Sequence, residues 1–373
     1  MLDASERSAS FEVKGLTINA VRDDAGAALP FSVVDGRLDV LLAPGGGAKT
    51  FSVDYAFHQQ SKLDGLLPGG STLVWPYHCG NLFPCKSDPS DGLTFELSVR
   101  NPPDGTKSIY PSSIAYDAPS YQIAWATGSY SEKVLGTSKG GTTLHVYWLP
   151  IDNANAVDAG TARLVQVFDW LESTLGPYLF GSDAGSISTN WGPGAVGGME
   201  HHPFWHIGSA SMGDKTVHAH EAAHGWFGDG VRLQCWEDFV LSEGTVTYLT
   251  ARAIGAVEGE SAEAAVWASN EIQLKQAVAK KDHIAWPKDA GCNKVDVLAS
   301  LFTNIPYLKG AYFYRAVAQA VGADRLDKVL RLFFETYRGK AARMQQMLDL
   351  IRSETGFDAG ELAKTWLEST GLP

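Results

Sequence analysis

The segment HAHEAAHGWFGDG, residues 218–230, places three histidines and a glutamate within seven positions. His220 and His224 are four apart, about 40° of rotation on an α-helix, so both imidazoles leave the same face one turn apart. Two neutral imidazoles at that spacing suit a tetrahedral Zn²⁺. His218 lies about 200° from His220 and points elsewhere. Glu221 sits beside the first ligand, where a carboxylate reaches a metal-bound water without binding the metal, the position of a general base. A catalytic zinc needs a third protein ligand and one open position. WEDFVLSEGTVTYLTAR supplies Glu243, nineteen residues after His224, at the start of an apolar-periodic stretch that a second helix can present. Ser242 or a neighbour is the expected cap of that helix. The chain is thus expected to bind one Zn²⁺ through His220, His224 and Glu243. Acyl-transfer chemistry fits less well, because the G-x-S-x-G match GTSKG at 136–140 falls in the punctuation before the strand-like run TTLHVYWLP and not at a strand-to-helix elbow.

The elements that must position these groups change character along the 373 residues. From about 10 to 150, short alternating or apolar runs such as FEVKGLTINAV, GRLDVLLAP and TTLHVYWLP are punctuated by APGGGA, NPPDGT and SKGG. These predict an antiparallel β-sandwich or saddle-shaped sheet. Beyond 152 the period becomes helical: Leu164, Phe168, Leu171 and Leu175 form one stripe that Gly176-Pro177 stops. Later segments end at Gly339, Gly356 and Gly371, the last starting behind Asp358 as N-cap. The expected class is α+β, with a β domain over 1–151 and a mostly helical domain over 152–373.

The composition, 45% hydrophobic and 19% charged, is that of a soluble globular chain. A net charge of −12 argues against nucleic acid or an anionic membrane as partner. No run approaches the ~18 apolar residues of a membrane span. MLDASERSASFEV shows no apolar leader region, which points to the cytoplasm unless a leader has been removed. Cys79, Cys85, Cys235 and Cys292 are too few for a disulfide scaffold. Cys79 and Cys85 could pair in an oxidising compartment, but free buried thiols are the expectation.

HEAAHGW followed by LSEG resembles the HExxHxW and L-x-E-G pattern of the gluzincin aminopeptidases of peptidase family M1, the group of aminopeptidase N and leukotriene A4 hydrolase. GAVGGMEHH is similar to the family's G-x-M-E-N motif, IPYLKGAYFY to its P-Y-x-K-G segment, YHCGNLFPCKSDPS to its H-C-R…P-C-x-D-x-P stretch, and WLESTGLP to the end of its catalytic domain. The resemblance spans about residues 70–373, in order. It implies a thermolysin-like catalytic domain and hydrolysis of the N-terminal peptide bond of peptides. His220, His224 and Glu243 would bind zinc, and Glu221 would polarise the water and return its proton to the leaving amine. Tyr307 would donate to the developing oxyanion, and Lys309 would be structural. Glu200 would read the substrate's free α-amine. Gly197 and Gly198 would leave backbone groups open to an extended substrate.

Departures from the family pattern carry their own implications. His201 replaces an asparagine and is expected to help hold Glu200. Trp75 stands in for an amine-binding glutamine and would instead shape an apolar wall. His202 and His206 are expected in the pocket lining or the core, not on a second metal. The chain stops where the family's catalytic domain ends, without the C-terminal helical domain, which predicts a more open site or a lid from an oligomer partner. The readings competing with an aminopeptidase are a glycyl aminopeptidase, whose family also carries a G-G-x-E-H element, a thermolysin-like endopeptidase, and a catalytically silent zinc-stabilised peptide-binding protein.

Overall fold

The computed structural model describes residues 8–43, 45, 47–192, 196–281, 283–292 and 294–373. Residues 1–7, on which part of the reading of the N-terminus rests, and part of APGGGA lie outside the described residues. The N-terminal strands pair antiparallel, as the alternation predicts, but over several small sheets. Strands β1 (Ser8–Glu12), β3 (Phe31–Val34) and β4 (Arg37–Leu41) form one sheet in the order β1-β4-β3, and β2 (Leu16–Asp23) pairs with β5 (Phe51–Phe57). In β4, Leu38 and Val40 are buried while Arg37 and Leu41 face out, the period of two expected of a half-buried strand. With Val13, Val21 and Leu42 they make a small core of their own. Three further antiparallel pairs follow: β6 (Gly65–Leu66) with β7 (Thr72–Leu73), β8 (Leu93–Glu96) with β10 (Ser113–Ala118), and β9 (Lys107–Ile109) with β11 (Ala126–Gly128).

A mixed five-stranded sheet carries the site. Its order is β12 (Ser131–Thr137), β13 (Thr143–Trp148), β14 (Asp183–Thr189), β16 (Phe204–Gly208) and β15 (Gly198–Met199). β14 runs parallel to both β13 and β16, and after its first residue it is buried throughout, as a central parallel strand covered on both faces must be. β15 is the edge strand, antiparallel to β16 through Gly198–Ile207 and Met199–His206. Two of the five strands precede residue 151, so a division there cuts through hydrogen-bonded sheet.

The helices are α1 (Ala154–Thr161), α2 (Leu164–Leu175), α3 (Lys215–Ala223), α4 (Phe239–Glu258), α5 (Glu260–Lys280), α6 (Asn304–Val321), α7 (Ala323–Tyr337), α8 (Met344–Thr355) and α9 (Gly360–Trp366). The predicted stripe of α2 is wholly buried, and Gly176 ends the helix. α8 ends at Gly356 in a left-handed conformation. α9 begins where Asp358 accepts the Gly360 N–H but stops at Trp366, short of Gly371. The Leu367 carbonyl instead accepts from the Ala285 and Trp286 N–H groups, tying the chain to a loop before a further turn can form. α4 is buried from Phe239 to Ala251, the mark of a central helix. It crosses α6 at Gly244 and Gly310, where a Cβ on Gly244 would lie 2.7 Å from the Gly310 Cα.

The cysteine expectation is corrected: Cys79 and Cys85 form a disulfide across the turn Cys79–Asn81, with Cα atoms 6.1 Å apart, and Cys235 pairs with Cys292. Chain folding brings 235 and 292 together across 57 residues, which spacing does not reveal. Among the described residues, no helix is long and apolar enough to cross a membrane.

Candidate active site

Helix α3 starts at Asp214, whose carboxylate accepts the Thr216 N–H. Its last turn sends His220 and His224 to one side, as the four-residue spacing predicts. His220 Nε2 lies 3.2 Å from His224 Nε2 and 3.1 Å from a Glu243 carboxylate oxygen, and His224 Nε2 lies 3.4 Å from that oxygen. Ligand atoms about 2.0–2.1 Å from a tetrahedral Zn²⁺ sit about 3.3 Å from each other, so the triangle has the size of one face of a zinc tetrahedron. Electrostatics agree with a cation there. Burial pushes the Glu243 carboxyl up, but His224 and His220 together pull it down to about 2. Burial pushes the His224 imidazole down, yet Glu243, Glu200 and Glu221 hold it well above its usual value. A buried set this rich in carboxylates demands positive charge, and a dication held by His220, His224 and Glu243 fits it.

The supporting contacts orient each group. The His224 Nδ1–H donates to the Phe227 carbonyl at 2.9 Å, which fixes the tautomer and frees Nε2 for a metal. Ser242 is not the cap of α4: the turn Trp236–Asp238 starts the helix a turn earlier, and the Ser242 hydroxyl lies 3.3 Å from His224 Nδ1. His218 faces away, donating to the Met212 carbonyl and accepting from Ser186. His202 is core: it donates to the Glu221 carbonyl at 2.7 Å and accepts from Tyr178, anchoring α3 where the proposed base sits. His206 is likewise buried, edge-on to His201.

Glu221, Glu200 and His224 gather with ligand-capable atoms within 4.8 Å of one another. Burial, reinforced by Glu200 and Glu243 against His224, raises the Glu221 carboxyl well above the usual range. Burial also raises Glu200, which hydrogen-bonds Tyr121. A Cβ on Gly198 would collide with the Glu221 carboxylate, so the glycine leaves that side chain its place beside β15. Tyr307 stacks on the His220 ring at 5.9 Å and meets Phe239 edge-on at 5.7 Å. Burial and the Glu243, Glu200 and Glu221 carboxylates push its phenol well up, keeping it a protonated donor.

These residues line a cavity of about 420 Å³ with Trp75, Gly197, Gly198 and Met199. Trp75 is a wall residue as expected, packed on Phe302 at 4.9 Å and on Phe239 at 5.7 Å. His201 does not line the cavity. It is buried behind the cleft, its imidazole pushed down to about 3 by burial against the pull of the Tyr121 and Thr72 backbones. The residue against Glu200 is Tyr121, which the sequence reading missed because it lies in a short turn (Ser120–Gln122) inside an apparent strand run. Asp229 was missed as well: it is fully buried, and its N–H donates to the His224 carbonyl. Lys309 is structural, its ammonium donating to the Ser369 carbonyl at 2.8 Å.

Residues 209–366 match the peptidase family M1 domain. The chain is similar to leucine aminopeptidase 2 of Aspergillus terreus, 26% identical over 337 residues, covering 79% of this chain and 52% of that protein. A second leucine aminopeptidase 2, from Ajellomyces capsulatus, is 26% identical over 374 residues and covers 87% and 58%. The chain thus spans about half the length of the curated relatives it matches. Among solved structures, the M1 zinc metallopeptidase of Deinococcus radiodurans superposes with a TM-score of 0.77 at 18% identity, covering 98% of this chain and 87% of that one. Leukotriene A4 hydrolase of Saccharomyces cerevisiae superposes with a TM-score of 0.78 at 21% identity, covering 99% and 63%. Both share the fold, β-rich at the N-terminus and helical after it. The zinc motif, Glu243 and Tyr307 fall inside the matched M1 domain, while Glu200 and Trp75 precede it.

Proposed function

We propose that the chain is a zinc aminopeptidase that removes the first residue of peptides. His220, His224 and Glu243 hold the metal. Zinc in that position supplies a Lewis acid for the scissile carbonyl and lowers the pKa of a water towards ~7. Glu221 takes the water's proton and returns it to the leaving amine. The Tyr307 hydroxyl donates to the oxyanion that develops on the carbonyl oxygen. Glu200 pairs with the substrate's α-ammonium, so that only the first peptide bond reaches the metal-binding triangle. The edge strand at Gly197 and Gly198 offers backbone groups to an extended peptide. Trp75 closes the apolar wall, while His201 supports the site from behind without touching substrate.

The observation that carries this reading is the second carboxylate: Glu200 stands beside Glu221 and His224 in the same cavity. A general hydrolytic metal site needs one base. An extra buried carboxylate, raised by burial, is well matched to a cation such as a free amine. The leucine aminopeptidase 2 relatives are named for that activity, and one solved neighbour was crystallised with a Tyr-Ser-Ala substrate. The test is hydrolysis of Leu-Gly-Gly beside N-acetyl-Leu-Gly-Gly, with and without a chelator. Cleavage of the free peptide alone, abolished by chelation and restored by zinc, is expected. Equal cleavage of the blocked peptide would convert the reading to an endopeptidase.

A further inference from the structure

Past Glu243 the cleft continues as a groove between α4 and α5. Thr247 and Thr250 follow Glu243 at i+4 and i+7, and Val266, Ser269, Asn270 and Gln273 of α5 line the same cavity at helical spacing. Thr247 and Asn270 are each only 8% exposed. Among the described residues, the Asn270 amide nitrogen and the Thr247 hydroxyl have no hydrogen-bond partner. Buried polar atoms without partners are rare and destabilising. Two of them, from different helices and lining one cavity, are what a site looks like before its ligand supplies the missing groups.

The position of the groove says which part of a peptide reaches it. Trp75 packs on Phe239, one turn before Glu243, and Thr247 lies one turn after it. Eight residues of helix separate the two, about 12 Å. Glu200 belongs to the Trp75 end: its partner Tyr121 packs on Trp236 at 6.3 Å, and Trp75 packs on the same ring at 6.0 Å. A peptide with its amine at Glu200 and its first carbonyl at the metal-binding triangle therefore sends its second residue towards Thr247 and Asn270. The charge of that side chain is also constrained. Among the described residues, no lysine or arginine lines the cavity, whereas Glu200, Glu221 and Glu243 do. An anionic side chain is repelled, and an apolar one leaves both polar atoms unpaired.

We propose that the α4–α5 groove binds the residue after the scissile bond and selects a neutral hydrogen-bonding side chain, an amide or hydroxyl, through Asn270 and Thr247. This inference rests on the aminopeptidase reading. The experiment measures kcat/KM for Leu-Xaa-Gly peptides with Xaa as Gln, Ser, Leu or Glu. The expected order places Gln above Leu by on the order of tenfold, one hydrogen bond's worth of discrimination, and Glu last. Asn270→Leu, near in volume, and Thr247→Val should each bring the Gln/Leu ratio towards 1. The ratio is taken within one protein, so a loss of folded enzyme cancels from it. A wild-type ratio near 1, or a ratio unchanged in both variants, overturns the groove assignment while leaving the aminopeptidase intact. If no Leu-Xaa-Gly peptide is cleaved, the underlying reading fails instead. Calorimetric binding of Leu-Gln-Gly against Leu-Leu-Gly to Glu221→Gln protein then reads the groove alone, and equal affinities overturn it.

Discussion

Glu221 and Tyr307 touch the same cavity but are asked for different things, and single substitutions separate them. Glu221→Gln keeps the shape of the side chain and removes its basicity. Metal content should stay at one zinc per chain by elemental analysis, while kcat falls by about 10²–10⁴, the usual worth of a general base. Retained turnover would remove Glu221 from the mechanism. Tyr307→Phe deletes one donor and leaves the ring on His220. Its kcat should fall by about 10²–10³ with zinc content unchanged. Loss of zinc alongside the rate would mean that the ring holds the ligand set together and the hydroxyl is incidental. At this scale the sequence was most legible where chemistry follows from local helix geometry. The fate of all three histidines of HAHEAAH can be read from rotation per residue. His202 and Tyr121 cannot, because what they hold, the Glu221 carbonyl and the Glu200 carboxyl, comes to them only through folding.

The elements set the reach of these side chains. Glu243 and Tyr307 meet because α4 and α6 touch at Gly244 and Gly310, the glycines that follow Glu243 and Lys309. Gly244→Ala puts a methyl 2.7 Å from the Gly310 Cα, which forces the helices apart at a cost of about 1–3 kcal/mol. A lower melting temperature together with reduced kcat is expected. Reduced stability at full kcat would show that Tyr307 does not depend on the crossing. Asp238, just before α4, makes a pH-dependent contribution. Burial pushes its carboxyl up to about 6, although it accepts the Met344 N–H and the Trp286 indole N–H. The unfolded chain gives up this proton near ~3.9, and the folded protein holds it to about 6. Stability from this group is therefore full below about pH 4 and is lost as pH rises through about 6. Asp238→Asn, which keeps an acceptor without the charge, should melt a few degrees above the parent at pH 7.5, with the gap closing near pH 4. A gap of the same size at both pH values would remove the titration from the explanation. The start of α4 was misread from sequence for a physical reason: the turn Trp236–Asp238 already runs into the helix, so Ser242, a good cap by type, lies inside it and faces His224.

Across the whole molecule, helices begin at Ala154, but three strands of the five-stranded sheet follow them, and packing crosses residue 151. β13 pairs in parallel with β14 over Thr143–Tyr147 and Asp183–Ile187. The main core is one cluster running from Leu67, Val74 and Trp75 through Phe168 and Trp226 to Leu367. Arg232, buried between the two parts, donates to the Asp117 and Gly339 carbonyls and, more distantly, to that of Ser90. Periodicity reports which face of an element is buried and is silent on which element buries it, so a boundary drawn from pattern can fall inside a sheet. We propose that a separable packing unit lies further towards the N-terminus, around the small core of Val13, Val21, Leu38, Val40 and Leu42. Severing the chain at 151 exposes an apolar face on each piece and removes Trp75 and Tyr121 from the cleft. A fragment of residues 152–373 should therefore show no cooperative melt and retain no stoichiometric zinc. Cooperative melting of that fragment near the parent's temperature, with zinc bound, would restore the division at 151 and make the N-terminal strands a true separate domain.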